Sequence, residues 1–128
     1  MSVRKGVKNT LAVAALTAAT VLTTAAPGAA ATPAVRAANC PFLSTLCLFD
    51  QTGYSGTRLT VSSTTPGGTC VSLVGHGFGG KARSALNTSS FAAALFANDG
   101  CVGSPYQVPA NGGVTNLGSF RANSVWVR

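Results

Sequence analysis

Slid against itself by forty-seven residues, the chain repeats: Leu48, Phe49, Gly53, Gly56 and Val61 fall on Leu95, Phe96, Gly100, Gly103 and Val108. Self-similarity at a fixed offset is the mark of two copies of one supersecondary unit. Further along, Leu73 through Phe78 answers Leu117 through Phe120 with a few residues deleted. Each copy sets an aromatic ahead of a turn that ends in glycine, Phe49 before Tyr54-Ser55-Gly56 and Phe96 before Cys101-Val102-Gly103. A hairpin that folds back over its own sheet needs glycine where φ is positive, and an aromatic near the fold to cover the exposed core face.

From Cys40 onward no stretch keeps helical periodicity for more than a turn or two. Short apolar alternations separated by Gly, Asn, Ser and Pro recur instead. They predict strands at Leu46–Phe49, Arg58–Ser62, Thr69–Leu73, Ala85–Asn87, Ala92–Phe96, Tyr106–Val108 and Val125–Arg128. The expected fold class is all-β.

The chain opens with Arg4, Lys5 and Lys8 and no acid, then runs uncharged from Thr10 to Ala26 until Pro27 and Gly28 break it. Followed by the small residues Ala29-Ala30-Ala31, that order predicts a signal peptide over residues 1–31, with Val35-Arg36-Ala37 as a second cleavage candidate. A retained membrane anchor would need about 20 strongly apolar residues, and this run is short and rich in Ala and Thr. The expected product is secreted, with no membrane association once the leader is gone. Arg58, Lys81, Arg83, Arg121 and Arg128 then stand against Asp50 and Asp99, a mild positive excess without the run or cluster that nucleic-acid binders display.

Residues 32–39 read as a flexible Ala-, Thr- and Pro-containing lead-in, and residues 40–128 as one domain of about 90 residues, near the size at which covalent staples help noticeably. Cys40, Cys47, Cys70 and Cys101 all lie in that domain, and an even number in an exported chain reads as two disulfides. Of the three pairings open to four cysteines, the favoured one joins Cys40 to Cys47, close in sequence across Pro41, and leaves Cys70 and Cys101 to close a long loop. The competing reading, a zinc site, is opposed by the oxidising compartment and by the presence of a single histidine, His76.

The domain resembles the βγ-crystallin-like fold, and within it peptidase inhibitor family I36, the group of Streptomyces metalloproteinase inhibitor-like proteins. Cys40-Pro41 followed by Cys47-Leu48-Phe49 is similar to the family's opening Cys-Pro to Cys-Leu-Tyr, and Tyr54-Ser55-Gly56 to its Greek-key signature. Phe78-Gly79-Gly80-Lys81-Ala82-Arg83-Ser84 stands where the family often has Phe-Asn-Asp-Lys-Ala-Ser-Ser. The resemblance covers Cys40 to Arg128 and implies a two-sheet sandwich of two Greek-key motifs, in agreement with the internal repeat.

Two departures bear on function. Calcium-binding modules of this fold carry an Asn/Asp-Asn/Asp-x-x-Ser/Thr-Ser element, but Gly79-Gly80-Lys81-Ala82-Arg83-Ser84 and Ser119-Phe120-Arg121-Ala122-Asn123-Ser124 offer no carboxylate or amide at the first two positions. Calcium takes six to eight oxygens, usually with formal negative charge, and both elements are basic, so no calcium site is expected. Secondly, Cys101-Val102-Gly103-Ser104-Pro105-Tyr106 resembles the family's inhibitory Cys-Val-x-x-Pro-Cys segment except that Tyr106 replaces the closing cysteine. The resemblance implies a protease-facing loop at Cys101 to Tyr106, with Val102 beside the scissile bond. Rigidity, which lowers the ordering cost of binding, must then come from a Cys70–Cys101 bridge and from Pro105.

The leading expectation is therefore a monomeric secreted inhibitor of an extracellular protease, a metalloprotease by what the family resemblance implies, that needs no cofactor. The alternative is a non-inhibitory binding or structural module at the cell envelope, using Arg58, Lys81, Arg83 and Arg121 on anionic polymers. An enzyme is not expected. A hydrolase triad would need His76 with Asp50 or Asp99 and a serine, and a glycosidase two opposed carboxylates, whereas Asp in such turns ordinarily caps backbone. Trp126, Phe78, Phe91 and Phe120 could stack on a sugar, but in so small a domain they read as core.

Overall fold

Four apolar residues in succession, Leu46, Cys47, Leu48 and Phe49, give the first strand, β1 (Leu46–Gln51), two faces that both need cover. The computed structural model describes residues 31–128 and supplies that cover with two sheets and a short helix. The first sheet has the order β2-β1-β4-β7, with β2 spanning Ser55–Val61, β4 Ser84–Asn87 and β7 Gly113–Val114. The second has the order β3-β8-β5-β6, with β3 spanning Thr69–Ser72, β5 Ala93–Phe96, β6 Tyr106–Val108 and β8 Ser124–Val127. Every pairing is antiparallel.

Leu46 and Leu48 of β1 meet Leu95 of β5 and Val125 of β8 in the core between the sheets. The repeat is a repeat of structure: β1, β2 and β4 of the first copy answer β5, β6 and β8 of the second. The third strand of each copy crosses over, β3 to the second sheet and β7 to the first. Backbone bonds obey the same symmetry. The Leu73 amide donates to the Asn123 carbonyl at 2.9 Å, and the Leu117 amide to the Arg83 carbonyl at 2.8 Å.

On the outer face of the first sheet, Cys47 and Phe49 pack with Cys40 and Leu86 in a second, smaller cluster that Val35 and Tyr54 cover. Val35 belongs to helix α1 (Pro33–Asn39), in the stretch expected as a flexible lead-in. Pro33 suits the first helical position, Thr32 caps it by accepting the Val35 amide at 3.3 Å, and the Arg36 guanidinium donates to the Asn111 carbonyl at 2.6 Å. About two helical turns give too little periodicity to be read from sequence. It forms because β1 leaves an apolar face to roof. Residues 1–30 of the expected leader lie outside the described residues.

The seven expected strands are all present, with β2 beginning earlier, at Ser55. The eighth, β7, is only Gly113–Val114 and sits among turn-forming residues, so its sequence reads as loop. Glycine is required there by contact: a Cβ on Gly113 would lie 2.5 Å from the Tyr54 hydroxyl, 2.8 Å from Leu86 Cδ2 and 3.0 Å from the Ala85 carbonyl. The disulfides are Cys40–Cys47 and Cys70–Cys101, the favoured pairing.

Candidate functional site

The segment between β5 and β6 is fixed at its start by three different interactions around Cys101. The residue takes a positive φ of 56°, matching Tyr54 at 61° in the first copy. Its sulfur is joined to Cys70 on β3, with the two Cα atoms 6.0 Å apart. Its amide donates to the Ser124 hydroxyl at 2.9 Å. Ser124 in turn donates to the Asn98 carbonyl, and the Asn98 side-chain amide donates to the Val102 carbonyl at 3.2 Å.

Val102, Gly103, Ser104 and Pro105 are exposed, and Val102 keeps 57% of its surface open. Tyr106, at the position of the family's closing cysteine, enters β6 opposite Leu95 and packs its ring 5.3 Å from that of Phe120. The structure thus brings the six residues of the expected loop together as an exposed arch with both feet tied, one by a disulfide and the other by strand pairing and aromatic packing. Asn98 and Ser124 brace the first foot of the arch, a role that sequence alone does not show. Their signal is the match of Ser124 with Ser84 in the first copy.

The groups of the alternative readings are dispersed. Asp50 Oδ1 accepts the Thr57 amide at 2.7 Å, and Asp99 Oδ1 accepts the Gly100 amide at 3.0 Å, so each carboxylate serves its own turn. The exposed His76 pairs Nδ1 with the Ser72 carbonyl at 2.7 Å. Among the described residues no three His, Cys, Asp or Glu side chains gather as a metal site. In the two basic elements guanidinium groups already fill backbone acceptors: Arg83 donates to the carbonyls of Gly80 and Ala82 at 2.9 and 3.3 Å, and Arg121 to those of Gly118 and Phe120 at 2.6 and 3.0 Å. Arg58 donates to the Asn39 carbonyl at 3.0 Å and lies over the Phe42 ring.

The four aromatics read as core divide. Phe78 is buried and Phe120 packs against the core, but Phe91 and Trp126 are exposed. Trp126 lies on the outer face of the second sheet against Gly68, where a Cβ would come within 2.7 Å of the indole. Phe91 has the Arg128 guanidinium 4.6 Å from its ring centre. Tyr54, on the first sheet, has its phenol pushed above its ordinary pKa of 10.0 by burial.

Comparison with known proteins agrees with this architecture. The model of peptidase inhibitor family I36 matches residues 34–108, a span that includes the arch. No curated protein matches the chain. Among solved structures, a βγ-crystallin from Ciona intestinalis superposes with a TM-score of 0.54 at 23% identity, covering 66% of this chain and 99% of its own. A double mutant of a βγ-crystallin domain from Clostridium beijerinckii gives 0.51 at 12% identity, covering 63% and 92%. A single mutant of that domain gives 0.52 at 12% identity, covering 65% and 97%. These likenesses establish the fold.

Proposed function

The chain belongs to peptidase inhibitor family I36, and from that premise we propose that it is a secreted inhibitor that offers the Cys101–Tyr106 arch to the cleft of an extracellular metalloprotease. The observation that carries the reading is the combination of exposure and restraint in this one segment. Val102 projects to solvent while the residue before it is held by a disulfide and by the Ser124 hydroxyl. A loop held in its bound shape loses little conformational freedom on docking and separates slowly from the enzyme. Tyr106, packed on Phe120, supplies at the far foot the restraint that the missing cysteine would give.

In this reading Val102 fills an apolar specificity pocket, and the arch persists because its ends stay in register even if its backbone is attacked. The chain contributes no catalytic group. Its work is to occupy the cleft.

The test is inhibition of a thermolysin-type metalloprotease, with a subtilisin-type serine protease alongside, by the oxidised, processed protein and by Val102→Gly. Submicromolar inhibition abolished by Val102→Gly supports the proposal. A folded, uncleaved protein that inhibits neither enzyme overturns it and favours the envelope-binding alternative, with which the crystallin fold is equally compatible. That alternative predicts anionic-polymer binding that weakens steeply with salt.

A further inference from the structure

The Cys40–Cys47 ring carries the most exposed large apolar side chain among the described residues, Leu43, at 92% of its full surface. Its neighbour Phe42 is also exposed, and Phe91 lies exposed on the adjoining segment. Single exposed apolar side chains are ordinary, but contiguous ones rimmed by charge mark interaction sites, and Pro41, Phe42 and Leu43 line one surface depression together with Arg36. This ring is also immobilised from several directions. The Phe42 carbonyl accepts the Thr88 hydroxyl at 2.8 Å, the Leu43 carbonyl accepts the Thr45 hydroxyl at 2.8 Å, and the Thr45 amide donates to the Thr88 hydroxyl at 3.0 Å. Ser44 is held at a φ of 49°, a conformation a non-glycine residue keeps only where its surroundings dictate it.

Resting on the inhibitor reading, we infer that this ring is a second protease-docking element, with Leu43 as the anchor that enters an apolar pocket. It has the attributes argued for the arch, and it closes its own disulfide ring, which the arch does not. Its surroundings specify the cleft further. Arg36 and Leu43 line one shallow depression beside the ring, Arg128 and Ser44 line another, and Arg58 covers Phe42. The two acids, Asp50 near the far end of β1 and Asp99 past the end of β5, each accept a backbone amide of their own hairpin. The complementary surface is therefore an apolar pocket with an acidic rim. Because the Phe42 carbonyl is already bonded to the Thr88 hydroxyl of the body and the Leu43 carbonyl to the Thr45 hydroxyl within the ring, the ring acts as an anchor and not as a bond presented for cleavage.

The ring abuts Thr88 and leads into β1, on the side where β5 begins, whereas the arch follows the end of β5. The two elements lie at opposite ends of that strand and address separate surfaces. The test measures inhibition of the same two proteases by the oxidised, processed protein, by Leu43→Asp and by Val102→Gly, with thermal melts to establish that each variant is folded. Leu43 touches so little that its replacement leaves the melt unchanged. The expected result is that Leu43→Asp weakens inhibition of at least one protease by about 100-fold, the scale of a central interface anchor, in a pattern across the two enzymes different from that of Val102→Gly. Wild-type inhibition that Leu43→Asp leaves intact for both proteases overturns the inference while the arch reading stands. Absence of wild-type inhibition removes the premise of both.

Discussion

Ser84 and Ser124 occupy matching places in the two copies and make matching bonds. The Ser84 hydroxyl accepts the Tyr54 amide at 3.1 Å and donates to the Gln51 carbonyl, while that of Ser124 accepts the Cys101 amide and donates to the Asn98 carbonyl. Each clasps a hairpin whose backbone turns through positive φ, so each does in one side chain what a longer network would otherwise do. The difference lies in what is clasped: Tyr54 roofs a sheet, whereas Cys101 begins the exposed arch.

Ser84→Ala and Ser124→Ala should therefore cost similar stability, about 1–3 kcal/mol each for two lost bonds at a buried site. Only Ser124→Ala should also weaken protease inhibition. Parallel chemical denaturation and inhibition assays check both halves of the statement, and equal effects of the two variants on inhibition would detach the arch from its clasp.

The two disulfides should differ in weight. Cys70 and Cys101 are separated by 31 residues and Cys40 and Cys47 by 7. Loop-closure entropy gives about 3–4 kcal/mol for the longer loop and about 2–3 for the shorter. Paired Cys→Ala variants compared by urea denaturation should preserve that order.

Gly113→Ala should destabilise by about 1–3 kcal/mol, the usual range for overpacking. Its Cβ would meet both the Tyr54 hydroxyl and the Ala85 carbonyl, and the backbone atom has little freedom to give way. Adding Tyr54→Phe removes the nearest clash and should recover part of the loss, a coupling that a double-mutant cycle reads directly.

Alkaline titration should expose Tyr54. Burial favours its neutral phenol, so the folded state holds that proton above pH 10.0 while the unfolded state releases it. The associated stability is complete below that pH and is lost as the pH rises through the folded-state pKa. Tyr54→Phe should flatten the difference between melting temperatures at pH 9 and pH 11 relative to the wild type.

Much of the fold was legible because it is written twice. The offset that aligns Phe49 with Phe96 also aligns Gly56 with Gly103, and both glycines take positive φ in the structure. Short apolar segments bounded by turn residues located β1 to β6 and β8, since each has at least one face on a core. That signal failed for β7, whose Gly113 is chosen for closeness to Tyr54 and Leu86 and carries no side chain to signal burial. It failed for α1, because the need for Val35 comes from the outer face of β1 at Cys47 and Phe49, twelve and fourteen residues further along the chain and in no local pattern. The Cys101–Tyr106 segment was singled out through its resemblance to the family's Cys-Val-x-x-Pro-Cys segment. Its restraint by Asn98 and Ser124 depends on the pairing of β5 with β8, which places Phe96 opposite Ser124, a relation visible only once the sheet is assembled.

The crossing of β3 and β7 carries a consequence for how such a chain could have arisen. A single ancestral copy would own three strands of one sheet and a fourth that belongs elsewhere, with a vacant edge beside its own β4 or β8 equivalent. Two identical copies exchanging that strand would complete each other, so a half-length chain of this design is self-complementary as a dimer. Joined in tandem, the copies can differ, one laying a tyrosine over its sheet and the other setting a cysteine at the foot of an exposed arch.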